Sequence, residues 1–95
     1  MLTANQIQTI IEVFKPYNPK KISIFGSVAR GEATTSSDID ILYEFNEPIS
    51  LFEKADIKER LEQKLSKGVD LVSEKFLNPL LRQSINADIK LIYGG

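Results

Sequence analysis

Residues 26–40 read Gly-Ser-Val-Ala-Arg-Gly-Glu-Ala-Thr-Thr-Ser-Ser-Asp-Ile-Asp: a Gly-Ser pair, ten residues, then Asp-x-Asp. The short run Lys-Ile-Ser-Ile-Phe at 21–25 precedes it and reads as a strand. Ile39, Ile41 and Tyr43 occupy alternate positions after the first aspartate, so Asp38–Phe45 reads as a second strand with those three on one face. Gly26 breaks the first strand. Ser27–Arg30 leaves room for one helical turn before Gly31, and residues 31–37, rich in Ser and Thr, read as loop.

A strand that ends in Gly-Ser and leads into a helix start suits an anion. Gly26 has no side chain to hold a phosphate off the backbone. The turn that follows presents amide donors, and the Ser27 hydroxyl adds another. Arg30, one turn on, offers a planar fork to the same ligand. Taken singly, the commoner meaning of Gly-Ser is an ordinary turn, and a lone arginine is usually a solvated surface residue. Asp38 and Asp40 leave the same face of their strand, with Cα atoms roughly 6.6 Å apart. That spacing suits a shared cation, or the ion pair of two-metal phosphoryl chemistry, whose ions stand ~3.5–4 Å apart. An exposed strand face is the plainer meaning of a single Asp-x-Asp. It weakens because aspartate is disfavoured in strands and adjacent like charges repel unless a cation neutralises them. Asp70, in Gly-Val-Asp-Leu-Val, is a third carboxylate in an otherwise apolar strand. If that strand lies beside the second, Asp70 can share a metal or accept a proton; its plainer meaning is a sheet-edge aspartate after the turn.

Working outward, Thr3 and Gln6 form a capping box ahead of Ile7, Ile10, Ile11 and Phe14 at helical spacing, with Pro16, Asn18 and Pro19 ending that helix. Ser50 and Glu53 form a second capping box. The helix after it carries Leu51, Ala55, Ile57, Leu61 and Leu65 on or near its buried side, and Gly68 suits its left-handed C-terminal cap. Val69–Ser73 reads as a third strand. Asn78 and Pro79 read as N-cap and first residue of a last helix that ends near Asn86, and Asp88–Tyr93 as a final strand. The order αβαβαβαβ predicts an α/β layer fold, one small domain over residues 1–95, with helices covering a mostly buried sheet.

Composition narrows the chemistry. The 95 residues include no cysteine and no histidine, which excludes thiolate nucleophiles, cysteine zinc sites and the usual neutral-pH proton shuttle. Oxygen donors alone point to Mg²⁺ or Mn²⁺. The formal net charge of −1, from 12 basic and 13 acidic residues, argues against broad electrostatic attraction to nucleic acid, and no direct nucleic-acid binding is expected. Residues 1–14 lack a continuous apolar segment, and no run approaches the ~18 apolar residues of a membrane span, so the chain reads as soluble and cytoplasmic with no membrane partner.

With G-S-x10-D-x-D and a third aspartate on a later strand in place, the sequence resembles the DNA polymerase β-like nucleotidyltransferase superfamily. The fuller text, GSVARGEATTSSDIDIL and VDLVSEKFLNPLLRQSI, is similar to its minimal nucleotidyltransferases, the MNT antitoxins. The resemblance spans roughly residues 20–93 and implies that superfamily's α/β (α+β) fold, a single small domain with a mixed β-sheet flanked by helices. It implies that Gly26 and Ser27 hold the triphosphate of ATP, with Ser37 and Arg30 among the nucleotide contacts, and that Asp38, Asp40 and Asp70 bind Mg²⁺ and form the catalytic set. It implies further that AMP passes from ATP to a hydroxyl, a tyrosine, of a cognate HEPN-domain toxin, an RNA-cleaving helical protein, which is thereby silenced. Two other functions fit the same residues: neutralisation of the partner by complex formation alone, with a vestigial or regulatory nucleotide site, and transfer to a small molecule or an RNA end. The last ranks lowest, because the chain has no domain to hold such an acceptor. Leu77, Leu80, Ile92 and Tyr93 are candidates to dock a protein acceptor, though ordinary core packing is the commoner fate of such residues.

Overall fold

The computed structural model describes residues 2–32 and 37–94. Its elements run α1 (Ala4–Phe14), β1 (Pro19–Phe25), α2 (Gly26–Arg30), β2 (Ile39–Phe45), α3 (Leu51–Leu65), β3 (Val69–Ser73), α4 (Pro79–Asn86) and β4 (Lys90–Gly94). Two single 3₁₀ turns, Lys15–Tyr17 and Glu74–Phe76, join them. The four strands form one sheet in the order β3-β2-β1-β4; β1 runs antiparallel to β2 and β4, and β3 runs parallel to β2. The mixed sheet and its helices match the predicted class.

Both capping boxes form. The Gln6 amide donates to Thr3 Oγ1 while the Thr3 amide donates to Gln6 Oε1, and Ser50 and Glu53 repeat the exchange at the start of α3. One sheet face carries Ile22, Ile24, Ile39, Ile41, Tyr43 and Val69. They pack with Ile10, Val13 and Phe14 of α1 and Ile57, Leu61 and Leu65 of α3 in one buried cluster. Phe14, Tyr43 and Phe45 stack within it, with ring centroids 5.1–6.1 Å apart. Ser23 and Leu42, partners across β1 and β2, are buried on the opposite face.

Several boundaries differ from expectation for local reasons. Pro19 already belongs to β1, because Asn18, left-handed at φ 57°, turns the chain straight out of the 3₁₀ turn into the strand. Leu51 is 83% exposed and Ala55 is also exposed. The buried stripe of α3 runs Ile57, Leu61, Leu65. At about 100° per residue Ala55 falls about 80° past Leu65, whereas Leu51, about 40° past it, is the first residue of the helix and stands beyond the end of that line. The left-handed cap of α3 is Ser66, φ 55°, and Gly68 stands two residues beyond it. Asp88 belongs to the turn after α4, its amide donating to the Ile85 carbonyl at 2.9 Å, so the last strand starts at Lys90. The loop read over 31–37 lies outside the described residues at 33–36.

Candidate active site

Strand directions gather the motif. Because β2 is antiparallel to β1 and parallel to β3, the end of β1 meets the starts of β2 and β3 at one edge of the sheet. Phe25 pairs with Asp40, and Asp40 pairs with Asp70. The two aspartates thus stand side by side on the face opposite the buried Ile39, Ile41 and Val69. Directly after Phe25, Gly26 takes φ +74° and opens α2, which is pinned to the core by the buried Val28 and Ala29. The other side of this turn leaves Gly26 and Ser27 half-buried and Arg30 exposed. Gly31, φ +76°, caps the turn.

The carboxylates are close enough to perturb one another. Asp40 is pushed above the usual carboxylate range, chiefly by burial, then by the charge of Asp70 and a hydrogen bond with it, then by Asp38. The charge of Arg30 opposes the shift. Asp40 Oδ2 lies against the bare α-carbon of Gly26, so any Cβ at position 26 would collide with it. Asp38, one residue before β2, lays its carboxylate over the α-carbon of Gly68 in the same manner. Ser37 is half-buried beside it.

The structure therefore brings Asp40 and Asp70 into contact, with Asp38 near enough for its charge to act on Asp40. It does not draw three acidic side chains into a ready-made cage among the described residues. The donor set still fits a hard divalent cation: all oxygen, no His or Cys, and two adjoining carboxylates whose mutual repulsion a cation would relieve. Arg30 is held by two acids. Its Nη1 donates to Asp88 Oδ2 at 2.7 Å and its Nε to Glu32 Oε2 at 3.1 Å. Asp88 lies 58 residues away, and nothing in the sequence marks it as a partner of Arg30.

A cavity of about 360 Å³ lies elsewhere, at the far ends of β2 and β3, lined among others by Tyr43, Phe45, Ile49, Leu51 and Phe76. It holds none of the motif residues. Of the candidate docking residues, Leu80 is 78% exposed, whereas Ile92 and Tyr93 pack against the core and Leu77 is half-buried.

Residues 8–95 match the Polymerase beta, Nucleotidyltransferase family. The chain belongs to that family. This nucleotidyltransferase is 34% identical over 94 residues to the protein adenylyltransferase MntA of Thermococcus cleftensis, covering 94% of this chain and 95% of MntA. It is 39% identical over 95 residues to a Methanocaldococcus jannaschii protein provisionally named a protein adenylyltransferase, covering 94% and 97%. Among solved structures, a provisionally assigned minimal nucleotidyltransferase is 35% identical, with a TM-score of 0.78 over 90% of this chain and 88% of that one. A toxin–antitoxin complex containing MntA is 26% identical, with a TM-score of 0.78 over 100% of this chain and 75% of that one.

Proposed function

We propose that this nucleotidyltransferase is an antitoxin that moves AMP from ATP to a hydroxyl, a tyrosine, of a HEPN-type toxin and thereby neutralises it. What supports the reading is the contact between Asp40 and Asp70 beside the Gly26 turn, joined to relatives named protein adenylyltransferases. In this reading Gly26 lets the triphosphate approach the backbone, and the Ser27 hydroxyl donates to one of its oxygens. Arg30, already held beside the site by Asp88 and Glu32, offers its remaining donors to the same phosphates. Asp38, Asp40 and Asp70 would hold Mg²⁺ or Mn²⁺, which supplies neutralisation of phosphate charge and polarisation at the α-phosphorus.

The acceptor oxygen attacks the α-phosphorus, forming the new P–O bond as the bond to the β-phosphate oxygen breaks. Pyrophosphate leaves, and the hydroxyl proton passes to Asp70. Asp70 is exposed on its strand, so an incoming side chain can reach it. Most of the acceleration comes from position and charge neutralisation, which explains how a chain without histidine or cysteine can carry the reaction. The 81%-exposed Phe76 and the exposed Leu80 offer the acceptor protein apolar contact.

Cells that express the toxin test whether transfer is required. The double variant Asp38→Asn/Asp40→Asn, at wild-type abundance, is expected to lose protection. Full protection by that variant would mean that complex formation alone suffices.

A further inference from the structure

Two glycines from two different connections each lie beneath one carboxylate. At Gly26 the three atoms nearest to a hypothetical Cβ all belong to Asp40; at Gly68 all three belong to Asp38. Gly26 has a second reason to be glycine, its φ of +74°. Gly68 has none, because its φ lies outside the left-handed region. Its backbone conformation is open to other residues, and only the space above it is not. A Cβ at position 68 would overlap Asp38 Oδ1 and stand 2.9 Å from Asp38 Cγ, inside the closest approach that real Cβ atoms make.

The surroundings decide which partner yields. The Gly68 carbonyl accepts a hydrogen bond from the Ile39 amide at 2.9 Å, at the first rung between β3 and β2. The next amide, that of Val69, donates to Glu62 Oε2 on α3 at 3.0 Å. Position 68 is thereby fastened to a strand on one side and a helix on the other, and Val69 is buried. Asp38 precedes β2 and is exposed, so its side chain can turn aside at little cost.

We propose that Gly68 is a positioning residue for the cation site. Its bare α-carbon allows the Asp38 carboxylate to lie where it can share a cation with Asp40, and any side chain at position 68 turns that carboxylate away. The inference rests on the reading of Asp38 and Asp40 as cation ligands.

Mn²⁺ titration of the purified full chain, followed by the electron paramagnetic resonance signal of free Mn²⁺, tests it in four proteins: wild type, Gly68→Ala, Asp38→Ala and the double variant. Gly68→Ala is expected to keep the wild-type circular dichroism and melt within a few degrees of wild type without metal, yet bind Mn²⁺ roughly 10–100-fold more weakly, as residues that orient metal ligands do. Asp38→Ala should weaken binding, and adding Gly68→Ala to it should change nothing more. Wild-type Mn²⁺ affinity in Gly68→Ala, with Asp38→Ala weakened, would overturn the role of Gly68 and leave the cation reading standing. Unchanged affinity in Asp38→Ala would overturn both. If Gly68→Ala does not fold, a folded Asp38→Ala/Gly68→Ala protein supports the collision with Asp38. An unfolded double variant overturns it.

Discussion

At the scale of single residues, Asp40 stands at the centre of the carboxylate cluster, acted on by both Asp70 and Asp38. Burial and the charges of Asp70 and Asp38 raise its carboxyl above the ordinary value of 3.8. In the unfolded chain Asp40 releases its proton first as pH rises, so the folded state holds more protons between the two values. Stability attributable to this group therefore falls as pH rises from the ordinary value through the raised one, and the loss is complete above it. Asp40→Asn removes the charge, so without divalent ions its Tm at neutral pH should exceed that of wild type, and the difference should vanish in acid, where both forms are neutral. Millimolar Mg²⁺ should raise the Tm of wild type and not that of Asp40→Asn. A variant with no gain in Tm and an intact Mg²⁺ response would remove Asp40 from the cation site. The residues of this site were unequally legible in the sequence. Gly26, Ser27, Asp38 and Asp40 lie within one short run, where strand alternation and turn chemistry suffice to relate them. Gly68 and Asp88 were not legible in these roles, because each acts through a contact made only when distant segments meet. Gly68 also lies just past the end of α3, where a capping glycine is the simpler expectation.

At the scale of elements, local signals were reliable and pairing was not. Each capping box and the Asn78–Pro79 helix start lay in the sequence as a hydrogen-bonding arrangement closed within four residues, and each is present. The sequence held no comparable signal for β2 lying between an antiparallel β1 and a parallel β3, which is the arrangement that brings Asp70 beside Asp40. Apolar character also placed Leu51 and Ala55 on or near the buried side of α3, whereas only Ile57, Leu61 and Leu65 of that helix are buried. Helix α3 offers a direct test of how the scaffold and the site are separated. Ser50→Ala removes the acceptor of the Glu53 amide, which costs about 1 kcal/mol. For a domain of this length that corresponds to a fall in Tm of about 4–8 °C by calorimetry. The cap lies at the Phe45 end of β2, away from Asp40, so Mn²⁺ affinity should not change. A large loss of affinity would mean that the two ends of the sheet are coupled.

At the scale of the whole molecule, the carboxylate cluster is one feature of the surface and the exposed apolar side chains are another. The described residues contain no helix long and apolar enough to cross a membrane. Their exposed apolar side chains, Leu51, Phe52, Phe76, Leu80, Leu81 and Leu91, all lie outside the carboxylate cluster. Under the proposed function a second molecule supplies the acceptor hydroxyl, and the relatives named protein adenylyltransferases support a protein in that role. The most direct measurement mixes the purified chain with α-phosphate-labelled ATP, Mg²⁺ and the HEPN-type toxin that the proposed function assigns as its partner. Label should appear on a tyrosine of that protein, with release of pyrophosphate, and should be lost with Asp38→Ala or Asp40→Ala. A partner that stays unlabelled while bound to the chain, or full labelling by both variants, would contradict the account.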